Sequence, residues 1–252
     1  MAASTESYAS PGASPGTSPG TQPESGLRVD AERNRERIVA AARRLFATDG
    51  LDVSMACVAR EAGVGKATLS RRFPSREDLI NAVFADRMDG YVSAVKQALA
   101  DPDPWHGFIG FIHDVCAMQA ADRGFAEVLA MTFPAAKALE ARRAEAYHGL
   151  LELISRAKAT GNLREDFTHQ DLVILLMANA GVVAATHAAA PDTWHRLVGH
   201  MLRGFANPGA ELPPLAEAPS TTAIYRAMIR ASRSARAAGG RAERGMGRSR
   251  EE

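Results

Sequence analysis

A run of basic side chains without any acidic residue lies between Gly63 and Arg76. Its members are Lys66, Arg71, Arg72 and Arg76, whereas the flanking segments carry charges of both signs. A merely solvated surface usually mixes its charges. Lys and Arg neutralise phosphate groups, and an outward-facing Arg can donate to O6 and N7 of guanine. The chemistry that this run favours is therefore contact with a nucleic-acid duplex.

The elements that must position this run are two short helices separated by a tight turn. Ser54 can cap the first helix, and Gly63 ends it by accepting a left-handed backbone. Ala59, four residues before the glycine, is small enough for the helices to approach closely. The second helix is predicted over Lys66 to Phe73 and is stopped by Pro74. The pattern satisfies a helix-turn-helix, although an ordinary helical hairpin has the same outline.

The outward face of the second helix follows from its periodicity. Leu69 and Phe73 are the apolar pair expected to face the core, and a rotation of about 100° per residue then directs Ala67, Thr68 and Arg71 outward. A small side chain in such a place can contact a thymine methyl group, and Arg71 is the first candidate for base readout. The predicted DNA contacts are Ser54, Met55, Lys66, Ala67, Thr68, Ser70, Arg71, Arg72 and Arg76.

This region resembles the TetR family of transcriptional regulators in three segments. They are Arg37-Ile38 through Leu45-Phe46, Val58 through Val64, and Thr68-Leu69 through Phe73-Pro74-Ser75-Arg76-Glu77-Asp78-Leu79. The resemblance covers about residues 33–90. It implies a three-helix DNA-binding head whose third helix enters the major groove, joined by a fourth helix to a divergent body that binds a ligand and dimerises. It also implies a repressor that a small-molecule effector releases from DNA.

The sequence departs from the family pattern near the recognition helix. Gly65 stands where the family often has Ser, and Ser70 stands where it commonly has a Tyr directed at a phosphate. Arg72 replaces the usual aromatic residue, and its charge could restore the lost backbone contact. A helical sensor or adaptor that has lost DNA binding therefore stays open as an alternative, although the four basic residues argue against it.

Helical periodicity continues to about residue 206, and no stretch alternates convincingly as a strand, so the predicted fold class is all-α. Residues 1–27, with three Ser-Pro-Gly repeats, are expected to be a disordered leader. Residues 28–90 form the predicted head and 91–206 the ligand-binding and dimerisation domain. Residues 207–252, rich first in Pro and then in Arg and Ala, are expected to be a flexible tail with a short helix near Ile224–Ile229.

The effector is expected among apolar and polar side chains of the middle helices. In the resembling family the pocket lies there, so His113, Tyr147 and His148 are candidates for fixing an apolar or aromatic molecule, although simple core packing explains any one of the apolar residues equally well. The candidate ligand-binding residues are Trp105, Phe108, Ile112, His113, Cys116, Met131, Phe133, Tyr147, His148, Leu151 and Met177.

Two apolar stripes near the end of the body predict a homodimer, because bare stripes usually need a partner and the family pairs its last two long helices across a two-fold axis. A symmetric dimer presents two recognition helices to one face of the duplex and predicts a palindromic operator. The candidate interface residues are Leu172, Leu175, Leu176, Val183, Trp194, Leu197, Val198, Met201, Leu202 and Phe205.

Catalysis is not expected. The segment Gly63-Val64-Gly65-Lys66 resembles a phosphate loop only superficially, because Arg60 and Ala67 occupy required Gly and Ser/Thr positions. Glu145-Ala-Tyr-His148 occurs once, whereas a di-iron bundle needs two such motifs. With only two cysteines, Cys57 and Cys116, and no nucleophile or metal signature, neither a cofactor nor a metal is predicted.

Charge and hydropathy bear on location and partners. Residues 28–89 carry 12 basic and 10 acidic side chains and residues 226–252 carry 8 and 3, whereas the middle of the chain is acidic. This asymmetry suits a protein that meets nucleic acid, and the basic tail could add non-specific attraction, although a solvated end is the simpler explanation. The N-terminus lacks a signal-peptide pattern, and the apolar stretch Leu172 to Thr186 is short for a bilayer span, so a cytoplasmic protein is expected.

Overall fold

The computed structural model describes the backbone of residues 23–233, and it describes side chains from residue 29 onward. Within that part the chain is helical and contains no β-strand apart from one isolated bridge, so the all-α prediction is confirmed. The helices are α1 (Pro23–Asp49), α2 (Met55–Ala62), α3 (Lys66–Arg72), α4 (Arg76–Ala100), α5 (Pro104–Ala121), α6 (Arg123–Ala130), α7 (Lys137–Ala159), α8 (His169–Thr186), α9 (Thr193–Phe205) and α10 (221–233).

The head is built on one apolar face of α1. Ile38, Ala42 and Phe46 are fully buried, and they pack in one core with Val58 of α2 and Leu79 of α4. The helix begins at Pro23, so it includes the last residues of the stretch expected to be a disordered leader. Most of that leader, residues 1–22, lies outside the described residues.

The fourth helix belongs to both halves of the molecule. It is 25 residues long, and its N-terminal part packs on the head while its C-terminal part packs on α5 and α7. Ser75 and Asp78 form a capping box at its start, with Ser75 N donating to Asp78 Oδ2 over 3.0 Å. A continuous helix of this kind transmits the position of the head to the body without an intervening loop.

The body is a bundle whose core is dominated by aromatic side chains of α5. Phe108 stacks on Trp105 with ring centroids 5.7 Å apart and meets the edge of Phe167 at 5.4 Å. One face of α8 and one face of α9 close the bundle. By length and composition alone α8 could also cross a membrane, but here it packs against α5, α6 and α9.

The segment after α9 has specific anchors that its composition did not predict. Residues 207–219 form neither helix nor strand, and three side chains of the body donate to their backbone: Trp105 Nε1 to Glu211 O over 2.8 Å, Arg203 to Pro213 O over 2.9 Å and Arg196 to Ala216 O over 2.7 Å. We call residues 207–219 the strap. The helix expected near Ile224–Ile229 is present as the longer α10, and the rest of the tail, residues 234–252, lies outside the described residues.

Candidate nucleic-acid interface

The turn between α2 and α3 has the predicted geometry. Gly63 adopts φ 63° and ψ 38°, a left-handed conformation that glycine accepts without steric cost. Its N–H and that of Val64 donate to the last carbonyls of α2, the second to Ala59 O over 3.0 Å. At the other end of α2, the hydroxyl of Ser54 accepts from Cys57 N over 3.2 Å. Backbone groups at both ends of this short helix therefore have hydrogen-bond partners. These bonds stabilise the helix in addition to its internal hydrogen bonds.

Two arginines of α1 bind this turn and the end of α2. Arg37 Nη2 donates to Ala62 O over 2.7 Å and to Gly63 O over 3.2 Å, and Arg44 pairs with Glu61 over 3.1 Å. A Cβ atom on Gly63 would lie 2.8 Å from the Arg37 guanidinium, so the close contact adds a second reason for glycine there. Arg37 was not among the sequence candidates; its place in the first motif segment was the only signal.

The outward face of α3 is cationic and exposed. Lys66, Ala67, Ser70, Arg71 and Arg72 are exposed, and Thr68 is half-buried. Leu69 and Phe73 are buried, as their spacing predicts. None of the three α3 cations forms an ion pair with another described residue, so their charges are available to an outside anion.

Two of the predicted DNA contacts lie in less open places. Arg76 is half-buried: its Nη1 donates to Val53 O over 2.7 Å, and its guanidinium lies over the Phe46 ring at 5.9 Å. One N–H of Arg76 thus fixes the loop before α2, and its contact with a phosphate stays a prediction, because a guanidinium carries five N–H donors. Met55 is half-buried against the head core, while Ser54 stays exposed.

The predicted ligand-binding residues do not gather in one cavity. Trp105, Phe108, Ile112 and Cys116 are buried in the packed core. Burial raises the pKa of the Cys116 thiol to about 12, so this cysteine is an apolar packing group rather than a nucleophile. Phe133 and His113 are half-buried, and the remaining candidates are exposed: Met131, Tyr147, His148, Leu151 and Met177.

Only Trp105 and His113 of these candidates share an opening, a cleft of about 610 Å³ between α5 and the strap. Ile109 and Gly110 of α5 and the strap residues Leu212 to Pro214 supply its apolar walls, and Asp103, His106 and Glu211 lie at its polar rim. Burial, followed by repulsion from His195, lowers the pKa of His113 below its ordinary value. Its imidazole is therefore neutral at pH 7 and can donate or accept one hydrogen bond.

The apolar stripes proposed as a dimer interface mostly face inward. Seven of the ten residues are buried in the core of the single chain, so they are not available to a partner: Leu172, Leu175, Leu176, Val183, Trp194, Val198 and Leu202. Leu197, Met201 and Phe205 are half-buried. A stripe at helical spacing marks a face that must be covered, and here α5, α6 and the opposing helix of the α8–α9 pair cover it.

The opposite face of α8 is exposed, and it was not among the apolar stripes predicted as a dimer interface. Val173, Ile174 and Met177 are 41%, 58% and 52% exposed, and Gly181 and Ala184 continue the face. Tyr147 of α7 adjoins it, with its ring edge-on to His169 at 5.2 Å. The signal was in the sequence: no Asp, Glu, Lys or Arg lies between Asp171 and Asp192, so α8 is apolar all round.

A short set of contacts joins the head to the body through α6. Leu51 N, in the loop after α1, donates to Glu127 Oε2 over 2.6 Å, and Arg123 Nε donates to Glu127 Oε1 over 3.4 Å. Gly50 beside it has φ 79° and no room for a Cβ atom against the Glu127 carboxylate. We call Gly50, Leu51, Arg123 and Glu127 the junction. Sequence reasoning did not single it out, because its partners are 76 residues apart.

Comparison with known proteins agrees with this geometry. Residues 38–83 match the family model for the N-terminal domain of bacterial regulatory proteins of the TetR family, and residues 103–207 match the C-terminal domain of SbtR-like transcriptional regulators. An HTH-type transcriptional regulator of Staphylococcus aureus strain USA300 is 37% identical over 76 residues. That match spans 30% of this chain and 41% of the relative's length.

Two solved structures show the same fold. A regulatory protein of the TetR family from Rhodococcus RHA1 superposes with a TM-score of 0.52 at 15% identity, covering 68% of this chain and 95% of the other. The regulator PfmR from Thermus thermophilus gives 0.51 at 20% identity, with 66% and 97% covered. A helix-turn-helix joined to a helical body is the architecture to which both family models belong, and both describe transcriptional regulators. The chain belongs to the TetR family of such DNA-binding regulators.

Proposed function

We propose that this protein is a cytoplasmic repressor that binds a palindromic operator as a homodimer and leaves it when a small-molecule effector binds the body. The observation that carries the proposal is the outward face of α3, where Lys66, Arg71 and Arg72 are exposed and lack ion-pair partners among the described residues. Such a face gains free energy by neutralising phosphates, and an Arg on it can discriminate a guanine.

The second copy is the proposed occupant of the exposed face of α8. Val173, Ile174 and Met177 expose large apolar side chains on α8, as Tyr147 and Leu151 do on α7, and the Tyr147 ring contacts His169 at the start of α8. An uncharged helix face of this extent is costly to leave in water, and a two-fold axis would let it cover itself. Leu197 and Met201, half-buried on α9, are retained from the interface predicted from the sequence.

The cleft between α5 and the strap is the proposed effector site. Its apolar walls and the neutral imidazole of His113 suit an uncharged or aromatic molecule that offers one polar group. The Trp105 indole N–H already donates to Glu211 O of the strap. Of the two predicted ligand-binding residues that line the cleft, His113 is therefore the one left to form a hydrogen bond with an effector. Two of the eleven predicted ligand-binding residues, Trp105 and His113, line this cleft.

The junction is the proposed route from effector to operator. Helix α6 follows α5 directly, and Glu127 of α6 holds the Leu51 N–H three residues before Ser54, which caps α2. A movement of α5 that shifts α6 would therefore move the start of the helix-turn-helix. The effector must bind more tightly to the arrangement that cannot hold DNA than to the arrangement that can. Equal affinity for the two arrangements would leave the equilibrium between them unchanged.

The test is a promoter reporter built on fragments that the purified protein selects from genomic DNA. Expression of the protein is expected to lower reporter output, and an Arg71→Ala variant made at equal abundance is expected to restore it. Output that rises with the wild-type protein would identify an activator and contradict repression. Failure to select any motif would contradict sequence-specific binding and favour a helical sensor or adaptor.

A further inference from the structure

The strap is docked against α5 and α9 through a few specific contacts. Trp105 of α5 and Arg196 and Arg203 of α9 donate the hydrogen bonds that hold three of its carbonyl groups. Gly199 lies on α9 between the two arginines, and a Cβ atom there would lie 2.8 Å from Cδ1 of Leu215. The missing side chain of Gly199 therefore leaves space that Leu215 of the strap occupies. We call this contact between Gly199 and Leu215 the notch.

Little else holds the middle of the strap. In the part of the chain that the structure describes, no backbone–backbone hydrogen bond involves residues 211–219. Pro213 and Pro214 have no N–H to donate, and both are exposed, as is Glu217. A segment with few backbone hydrogen bonds and exposed side chains opens at a free energy well below that of global unfolding. Release of three carbonyl groups and of the notch is therefore enough to detach the strap.

The two ends of the strap have anchors of their own. At its start, Asn207 N donates to Asn162 O over 2.8 Å, and Asn207 Nδ2 donates to Gly161 O over 2.8 Å. Beyond its end, Ala227 of α10 is buried. A strap that is released at the notch therefore stays held on both sides and opens as a loop.

The strap is also one wall of the cleft of about 610 Å³. Residues 211–214 line the cleft together with Ile109, Gly110 and His113 of α5. A molecule in the cleft contacts the strap only while the strap is docked, so it binds the docked arrangement more tightly than the open one. We infer that the strap is a clamp: it must be docked for the cleft to hold an effector, and the effector in turn keeps it docked. The inference rests on the proposed effector site.

The first experiment measures strap opening without a ligand, by cleavage of the Glu217–Ala218 bond with a protease specific for glutamate. Cleavage that is slow relative to reclosing reports the population of the open state. Gly199→Leu fills the notch and is expected to raise the cleavage rate of this bond, followed by mass spectrometry, at least about tenfold. Gly204→Leu is the matched control, because a Cβ atom at this position of α9 meets nothing within 4 Å. Leu215→Ala empties the notch without adding bulk and is expected to act in the same direction.

The second experiment measures binding of Nile red, an uncharged aromatic dye that becomes fluorescent in apolar sites, to the full-length protein without DNA. Gly110→Leu places a side chain inside the cleft, where a Cβ atom meets nothing within 4 Å, and is expected to abolish binding there. Gly199→Leu and Leu215→Ala change no residue that lines the cleft. They are expected to weaken binding about tenfold if the strap is docked about a tenth of the time, because apparent affinity falls with the docked fraction.

The two experiments are linked by reciprocity. Saturating Nile red is expected to slow cleavage after Glu217 in the wild-type protein, although Glu217 does not line the cleft, and to leave the rate in Gly110→Leu unchanged. Notch variants that are cleaved at the wild-type rate would overturn the inference. So would faster cleavage with unchanged affinity for Nile red, which would leave the effector site in place. No binding by the wild-type protein, or equal binding by Gly110→Leu, would contradict the effector site itself and the clamp with it.

Discussion

At the scale of single residues, the central assignment is that Arg71 reads a base and Lys66 holds a phosphate. Arg71→Ala is expected to cost about 1–3 kcal/mol on the cognate operator and much less on random DNA, because a bidentate contact to guanine is lost. Lys66→Ala is expected to weaken binding to both DNAs alike and to lower the salt dependence. Fluorescence anisotropy with cognate and scrambled duplexes measures both, and equal losses for Arg71→Ala on the two duplexes would refute its role as a base reader.

Two histidines near the cleft make opposite predictions for stability against pH. The lowered pKa of His113 means that the unfolded chain takes up its proton more readily, so acidification below about pH 6.5 destabilises the fold through this group. The hydrogen bond from His106 to Asp101, 2.7 Å long, raises the pKa of His106. Its small stabilising contribution is therefore complete at low pH and is lost as pH rises through the folded-state pKa.

Urea unfolding at several pH values between 5.5 and 7.5 separates the two groups. His113→Gln is expected to lose less free energy of unfolding than the wild type on acidification, and His106→Gln is expected to lose more. Curves for both variants that run parallel to the wild-type curve would show that neither imidazole contributes through its folded-state environment. His148 is exposed and does not line the cleft, so His148→Gln is the matched control.

Much of the recognition helix could be predicted residue by residue. The inward positions of Leu69 and Phe73 and the left-handed Gly63 are local consequences of helical period and turn chemistry, so one sequence suffices to place them. Arg76 shows where this reasoning stops. Its sequence neighbours mark it as one cation of a run, but the bond from its Nη1 to Val53 O depends on a loop 23 residues earlier.

At the scale of elements, the junction between α6 and the head makes a prediction about stability. Glu127→Ala leaves the half-buried Leu51 N–H without its acceptor and is expected to cost about 1–3 kcal/mol in the free energy of unfolding. Glu127→Gln keeps an acceptor for that N–H and is expected to cost less. Denaturant titration compares the two, and an Ala variant as stable as the wild type would contradict the assigned role.

The exposed face of α8 makes a prediction about assembly. Met177→Arg places a charge on the proposed two-fold contact and is expected to shift the protein from dimer to monomer in analytical ultracentrifugation, because desolvating an unpaired guanidinium in an apolar interface is costly. Met131→Arg is the matched control, since Met131 is 51% exposed against 52% for Met177 but lies at the end of α6. Equal sedimentation of the two variants, both dimeric, would place the interface elsewhere.

The helices themselves were largely predictable, and their partners were not. Periodicity with the capping residues Ser54 and Gly63 located α2 and α3 to within one residue. The stripe on α8 was correctly found as apolar, but period alone cannot tell whether a second chain or the same chain covers it. The strap was missed for a related reason, because its anchors come from side chains as distant as Trp105, 106 residues away.

At the scale of the whole molecule, the head, junction and body form one connected path. A basic recognition helix stands at one end, α4 runs without a break into the body, and α6 touches the head through Glu127. Under the proposed function, effector control is a shift between two positions of the heads, and its size is bounded by the difference in effector affinity between them. An effector found in the cleft is therefore expected to lose affinity when operator DNA is added.

Sequence-specific binding to an operator is best tested by an anisotropy titration that compares the best selected genomic fragment with a scrambled duplex at two salt concentrations. The proposed function predicts a palindromic motif, one dimer per site and a preference of at least about a thousandfold over scrambled DNA, in the range of specific regulators. It also predicts that the preference persists at the higher salt while affinity for both duplexes falls. Weak binding that ignores sequence and vanishes with added salt would contradict it.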